Sequence, residues 1–228
     1  MQKELRADDY VIRVEYKRIK NMYLRVLPPD GRVQISAPLG TTDARLYAFV
    51  RERRAWIDKQ RLLCIQPSRL YETGESLPLW GEELPLTVCI GRGGVRRSPE
   101  GLLLFAPAAA DTAARAKIVQ AFYRAELRRA IEEIWEACMR QSGARANEWR
   151  IRDMKTRWGS CNVQERRICL NLRLALKPPE CLRYVLLHEL CHLHERGHGK
   201  AFWAHMDACC PDWRAIRKRL NGKDAPCT

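Results

Sequence analysis

Residues 178–195 read PPECLRYVLLHELCHLHE, and most of what the sequence predicts starts from this stretch. Two prolines followed by a glutamate are typical of the first turn of a helix. Backbone N–H groups of the first turn have no acceptor within the helix, so proline, which lacks this group, is tolerated there. The apolar residues that follow predict a helix from Pro178 to about Glu195. Inside it, residues 188–192 read His-Glu-Leu-Cys-His and match the pattern H-E-x-x-H.

The H-E-x-x-H pattern brings two imidazoles within reach of one metal ion. His188 and His192 are four residues apart and therefore lie one above the other on a helix. Glu189 lies about 100° further round the helix, where its carboxylate can approach a metal-bound water without binding the metal. Neutral imidazoles suit zinc, so the pattern predicts a zinc site with Glu189 as the catalytic base. The simpler alternative is a pair of surface histidines on a helix.

A catalytic zinc takes three protein ligands and keeps a fourth position open. His198 is the predicted third ligand, because Gly197 can adopt the left-handed conformation that ends a helix and turns the chain back. Glu195 has an awkward geometry for binding together with both histidines of its own helix, and His194 points about 120° away from His188. Two residues of the next helix remain candidates, His205 and Asp207.

The rest of the chain predicts an α+β protein in two parts. A β-rich region with one helix covers residues 1–108, and a domain that contains the H-E-x-x-H helix covers residues 109–228. The strands of the first part flank the turn Pro28-Pro29-Asp30-Gly31, and its helix runs from Thr41 to about Leu63. The second part has further helices over residues 111–141, 202–209 and 212–220, and a short strand over residues 168–172.

Composition narrows the class of protein and its partners. The 228 residues carry 41 Lys and Arg against 27 Asp and Glu, a net charge of +14, which favours encounter with nucleic acid or acidic partners. The longest uncharged stretch that is apolar enough to suggest a membrane span, residues 101–110, is too short to cross a bilayer, and the charged N-terminus does not resemble a signal peptide. We therefore expect a cytoplasmic protein without membrane spans. The ten cysteines contain no C-x-x-C pair and are expected mainly as core thiols.

Residues 157–220 resemble the YgjP-like metallopeptidase family, which is related to the SprT-type proteases. The matching motifs, in chain order, are Arg157-Trp158-Gly159-Ser160-Cys161, Ile168-x-Leu170-Asn171, Tyr184-Val185 followed by H-E-x-x-H, His198-Gly199-x-x-Phe202-Trp203 and Pro211-x-Trp213. The resemblance implies a small zincin-like domain in which His188, His192 and His198 hold one Zn²⁺ per chain. It also implies that Glu189 acts as general base in the hydrolysis of a protein or peptide substrate. Cys191 replaces the alanine that is more usual before the second histidine.

Two other functions compete with a peptidase. The spacing H-x3-H-x5-H is also similar to that of the YbeY-type ribonucleases, which have glycine where this chain has Glu189. A basic stretch lies near the predicted site and would favour RNA, namely Arg150, Arg152, Lys155, Arg157, Arg166, Arg167 and Arg173. The second alternative is a non-catalytic nucleic-acid-binding protein stabilised by zinc. A combination is also expected, namely a peptidase that acts on proteins associated with nucleic acid.

Three smaller expectations concern the surroundings of the site. The strand over residues 168–172 could pair with an extended substrate by β-addition. Tyr184, one turn before His188, is either a stabiliser of the oxyanion or a core residue. Trp158 and Gly159 either shape the cleft or form a tight turn with a core tryptophan, and Phe202 and Trp203 are expected as core packing that holds the turn of His198.

Overall fold

The protein has an α+β fold, as the sequence predicts. The computed structural model describes residues 2–7, 9–27, 30–64 and 69–222. The packing of Cα atoms divides the chain into two compact units, residues 1–68 and 69–226. In the described ranges, no helix combines the length and the apolar character that crossing a bilayer requires.

The first unit is a four-stranded sheet with two helices. Its elements are β1 (Gln2–Ala7), β2 (Tyr10–Lys17), β3 (Tyr23–Leu27), β4 (Arg32–Pro38), α1 (Asp43–Glu52) and α2 (Arg54–Cys64). The strand order is β1-β2-β4-β3, and only β2 and β4 are parallel. Alternate residues of β2 are buried, so one face of the sheet packs in a core with Leu46, Val50 and Ile57 of the helices.

The single helix predicted over residues 41–63 is divided in the structure. Arg53 has φ −106° and ψ 10°, which lies outside the helical region and interrupts the hydrogen-bond ladder between α1 and α2. At the predicted turn, Gly31 adopts a positive φ of 67°, whereas Pro28 and Pro29 lie outside the described residues. The first strand, β1, was not among the predicted strands.

The second unit contains two further sheets and four α-helices. Its strands are β5 (Ser76–Leu79), β6 (Glu82–Ile90), β7 (Gly94–Ser98), β8 (Gly101–Ala106), β9 (Glu148–Arg152), β10 (Gly159–Asn162) and β11 (Arg167–Asn171). Its helices are α3 (Thr112–Ser142), α4 (Pro179–Cys191), α5 (Lys200–Cys209) and α6 (Trp213–Leu220), with a short 3₁₀ helix at Leu172–Leu176. The Asp111 side chain caps the start of α3 by accepting from the N–H of Ala114, and Gly143 ends it in the left-handed conformation.

The strand order of the three-stranded sheet shows that the strand predicted to pair with the substrate was wrong. The order is β10-β11-β9, so β11, which corresponds to the strand predicted over residues 168–172, has a partner on both sides. A strand with two partners has no free backbone groups to offer to a peptide. The outer strand on the side of α4 is β10, which the sequence did not predict because its residues Gly159-Ser160-Cys161-Asn162 have little strand propensity.

The boundary between the two compact units lies after residue 68, about 40 residues before the predicted domain boundary at residue 108. Strands β5 to β8 share a core with Val119 of α3, and the partly buried Trp80 and Tyr123 contact both this core and the larger one. A boundary at residue 108 would separate α3 from the strands on which it packs. The eight cysteines whose side chains the structure describes are free thiols, and those at positions 138, 181, 191, 209 and 210 belong to the larger core.

Candidate metal centre and its cleft

The helix that carries the H-E-x-x-H pattern is buried on nearly all sides. Nine of the 13 residues of α4 are buried, as expected for a helix that is apolar around its whole circumference. The helix ends at Cys191, earlier than the predicted end near Glu195, and His192 is its C-terminal cap. Both histidines nevertheless remain one turn apart on the same side.

The chain reverses direction directly after α4, and the turn is not made by Gly197. Gly197 does not adopt the predicted left-handed backbone conformation. The chain turns earlier, where the N–H groups of residues 193–195 donate to the carbonyls of Leu190 and Cys191. His198 then directly precedes Gly199, the N-cap of α5, and returns to the side of His188.

The turn brings together the three histidines that the sequence singles out. His188, His192 and His198 each offer a ring nitrogen, and these atoms all lie within 4.8 Å of one another. Among the described residues, this is the only cluster of three or more His, Cys, Asp or Glu with such spacing. His188 and His192 are partly buried, whereas His198 is exposed to solvent.

The closest pair of donor atoms has the spacing expected of two ligands on one zinc ion. The Nε2 atoms of His188 and His198 are 3.1 Å apart, close to the roughly 3.3 Å that separates two nitrogens bound tetrahedrally at about 2.0–2.1 Å. His192 donates its Nδ1 proton to the carbonyl of Glu195 at 3.0 Å, which leaves Nε2 free as a ligand. Nδ1 of His188 is buried, and no described residue forms a hydrogen bond with it. Most metal-binding histidines are oriented by a hydrogen bond from their second ring nitrogen. His188 is oriented instead by the aromatic ring that packs against it.

Phe202 supplies this ring packing. It is fully buried, and its ring centroid lies 4.9 Å from that of His188 and 4.7 Å from those of His192 and His198. One aromatic ring thus supports all three imidazoles from behind. This confirms Phe202 as core packing that holds the turn of His198. Trp203 is only partly buried and lines the cleft in front of the histidines.

The other candidate ligands have different partners. His194 donates from Nε2 to the carbonyl of Ser142 and stacks on His205, with ring centroids 5.0 Å apart. The carboxylate of Asp207 accepts hydrogen bonds from Trp213 and Arg214. These contacts hold all three side chains away from the histidine cluster.

Glu189 lies beside the histidines with its carboxylate at the wall of the cleft. Its side chain rests against Gly159 of β10, where a Cβ atom would come within 2.5 Å of Oε1. Burial raises the pKa of Glu189 to about 8, and the nearby positive charge of Arg157 opposes this shift. Among the described residues no group donates a hydrogen bond to this carboxylate, so it is available to a proton or a ligand in the cleft.

The surroundings of His188 and His198 favour the neutral, metal-binding form of their imidazoles. Burial lowers the pKa of His188 to about 3, with smaller contributions from His192, His198 and Arg217. Burial also lowers the pKa of His198, again assisted by His192 and Arg217. A neutral imidazole has a free lone pair, so these shifts remove the competition between protons and a metal ion at neutral pH.

His188, His198 and Glu189 open onto a cleft of about 440 Å³, a size typical of small-molecule sites. The cleft is lined by Arg157, Trp158, Gly159, Tyr184, Val185, His188, Glu189, His198, Trp203, Arg217, Leu220 and Asn221. The sequence did not predict Arg217, Leu220 and Asn221 here, since only the packing of α6 brings them to the site. Trp158 and Gly159 shape the cleft, so the first of their two expected roles is confirmed.

Two further residues support the cleft. Tyr184 lines it one turn before His188, and burial raises its pKa to about 12, so its hydroxyl keeps its proton and can donate a hydrogen bond. Asn171 is fully buried and donates to the carbonyls of Met154 and Arg157, both at 2.8 Å. These two hydrogen bonds hold in place the segment that precedes β10, which carries Arg157 at the cleft.

Comparison with known proteins identifies the family. The family model described as YgjP-like, metallopeptidase domain, matches residues 20–223. The chain belongs to the YgjP-like family. As a YgjP-like protein it is a metallopeptidase, and the resemblance seen in its motifs extends over most of its length.

A solved structure and the curated proteins add little to the family match. The crystal structure of the zymogen of the Pyrococcus abyssi metallopeptidase abylysin is 24% identical to this YgjP-like chain. The match covers 41% of this chain and 94% of the other, with a TM-score of 0.39, which is too low to establish a shared overall fold. None of the curated proteins compared with the chain matches it.

Proposed function

We propose that this chain hydrolyses peptide bonds with one zinc ion held by His188, His192 and His198, and with Glu189 as general base. The observation that carries the proposal is the cluster of three imidazole nitrogens within 4.8 Å of one another, beside a carboxylate that opens onto the same cleft. A zinc ion bound there would lower the pKa of its water ligand toward about 7 and polarise the carbonyl of the scissile bond. Because His188, His198 and Glu189 line the cleft, the histidines would hold the ion where a substrate in the cleft can reach it.

The protein's own groups then move the proton and hold the substrate. The Glu189 carboxylate takes a proton from the attacking water and delivers it to the nitrogen of the leaving amine. The positive charge of a zinc ion bound beside Glu189 would oppose the effect of burial on the pKa of this carboxyl and would favour the ionised form that accepts a proton. The hydroxyl of Tyr184 is the candidate donor to the substrate oxygen that gains negative charge. Strand β10, at the edge of its sheet, is the candidate partner for an extended peptide.

The test is the substitution Glu189→Gln in the zinc-loaded protein. Because the amide has nearly the same shape but accepts no proton, we expect peptide hydrolysis to fall by about 10²–10⁴-fold while the zinc content stays unchanged. Glu195→Gln is the matched control, since Glu195 lies outside the cleft and should retain activity. Full activity in Glu189→Gln would contradict the role of Glu189 as base.

We also propose that the substrates are proteins associated with nucleic acid. Only the net charge of +14 supports this part of the proposal. Three members of the predicted basic stretch have carboxylate partners. Arg150 and Arg167 pair with Glu148, and Arg173 pairs with Asp153. These pairs reduce the charge that the stretch offers to a phosphate backbone. The match to the metallopeptidase family favours a peptidase over the two alternatives, a ribonuclease and a non-catalytic zinc protein. Cleavage of single-stranded RNA by the zinc-loaded chain would contradict this choice. The cytoplasmic location stays a prediction.

A further inference from the structure

Two arginines of the cleft stand out because the described residues form no salt bridge with them. Arg157 and Arg217 both line the cleft, and in the described part of the chain neither has an ion-pair partner. The only acidic residue of the cleft lining is Glu189, which is 5% exposed and committed to the metal centre. The remaining wall of the cleft therefore presents positive charge to whatever binds in it.

Arg217 differs in its ion pairing from two other arginines of helix α6. Arg214 of the same helix pairs with Asp207, and Arg219 pairs with Glu180. Arg217 alone of these three arginines faces the cleft, where its guanidinium lies 5.6 Å from the ring of Trp203. A cation over an aromatic face is held in place without being neutralised. The protein thus pairs the two arginines outside the cleft and leaves the one inside it available.

The segment of Arg157 is held in place in a comparable way. The backbone carbonyl of Arg157 accepts a hydrogen bond from the buried Asn171. The next residue, Trp158, donates from its indole N–H to the side chain of Asn221 at 3.1 Å, directly after the end of α6. This bond joins the segment of Arg157 to the helix of Arg217. The two guanidinium groups are therefore carried by backbones that are tied to each other.

We propose that Arg157 and Arg217 form an anion subsite that binds a carboxylate of the peptide substrate next to the scissile bond. Planar guanidinium groups match carboxylates in geometry as well as in charge. The carboxylate belongs either to an Asp or Glu side chain or to the C-terminus of the peptide. This inference rests on the proposed peptidase function and adds its substrate class, acidic peptides or peptides cut near their C-terminus.

Binding of labelled peptides to the full-length, zinc-loaded Glu189→Gln protein tests the subsite without turnover. The peptides share one length and one uncharged sequence with blocked ends. One series adds a single Glu at successive positions, a second frees the C-terminal carboxylate, and a third adds a single Lys. We expect a carboxylate of the first or the second series to tighten binding by about fivefold or more, and Lys to weaken it. The gain should shrink between about 50 and 300 mM salt.

Matched variants assign the effect to the two arginines. Arg217→Gln and Arg157→Gln should each remove most of the gain from the carboxylate. Lys218→Gln and Lys155→Gln make the same charge change one or two residues away, outside the cleft lining, and should preserve it. Equal affinity for charged and uncharged peptides, or a gain that survives both arginine substitutions, would overturn the subsite. It would also be overturned if a short single-stranded RNA displaced the acidic peptide and itself bound through both arginines, since the ligand would then be a phosphate.

Hydrolysis of the same peptides by the wild-type protein separates this inference from the proposed function. Carboxylate-dependent binding without any cleavage would end the peptidase proposal and leave the anion subsite. Cleavage at equal rates with and without a carboxylate would end the subsite and leave the peptidase proposal. Preferential cleavage of the peptides that bind through Arg157 and Arg217 would support both.

Discussion

Gly159 has no room for a side chain, because its Cα faces the carboxylate of Glu189. A Cβ atom at this position would lie 2.5 Å from Oε1 and 2.7 Å from Cγ of Glu189. These atoms belong to a side chain that can rotate, so the added methyl group should displace Glu189 and leave the backbone in place. We expect Gly159→Ala to lower kcat/KM by about 10²-fold or more with the zinc content unchanged.

Gly197→Ala is the control for this substitution. Gly197 is also a glycine near the histidines, but its backbone is not left-handed and a Cβ atom there meets nothing within 4 Å. It should therefore keep full activity. An active Gly159→Ala protein would show that the position of Glu189 against β10 is not needed for hydrolysis.

At the scale of elements, α5 and α6 are joined by Asp207. Its carboxylate accepts hydrogen bonds from Nη1 of Arg214 at 2.7 Å and from Nε1 of Trp213 at 2.8 Å. These contacts, the one from Arg214 first, lower the pKa of Asp207 below its ordinary value of 3.8. A lowered pKa in the folded state means that the contribution to stability is present above pH 3.8 and is lost as the pH falls through the lower value.

The prediction concerns the variant Asp207→Asn. We expect it to unfold at a lower denaturant concentration than the wild type at about pH 6, and the difference to shrink at about pH 3. Denaturant titrations of both proteins at the two pH values measure this. A difference that is the same at both would show that the charge of Asp207 contributes nothing. Trp213 stacks on Trp203 at 4.3 Å, so this junction also supports the wall of the cleft.

Elements with a strong local signal were predictable from the sequence. Helix α3, predicted over residues 111–141, has a capping aspartate before it and a glycine after it, and the structure forms it over Thr112–Ser142. The structure brings His198 to the other two histidines, although the turn that does so is not the one predicted at Gly197. By contrast, β10 becomes a strand only through its pairing with β11, and Arg217 reaches the cleft only through the packing of α6. Both depend on residues distant in sequence, which a local pattern does not contain.

At the scale of the whole molecule, the position of the boundary between the two units can be tested. The two core clusters of the second unit lie entirely within residues 69–222. A chain shortened to residues 69–228 should therefore fold and bind zinc. A chain shortened to residues 109–228, the originally predicted domain, lacks β5 to β8 and should be unstable, because α3 loses the strands on which it packs. Circular dichroism and zinc content of both chains distinguish the two boundaries.

The central claim is that three histidines hold one zinc ion, and elemental mass spectrometry of the purified protein tests it most directly. The wild-type chain should contain about one zinc per molecule. His198→Ala should lose the metal or bind it far more weakly. His194→Ala should retain it, because His194 contacts Ser142 and His205 outside the cluster. A wild-type protein that takes up no zinc on reconstitution, or a His198→Ala variant that binds it as tightly as the wild type, would contradict the account.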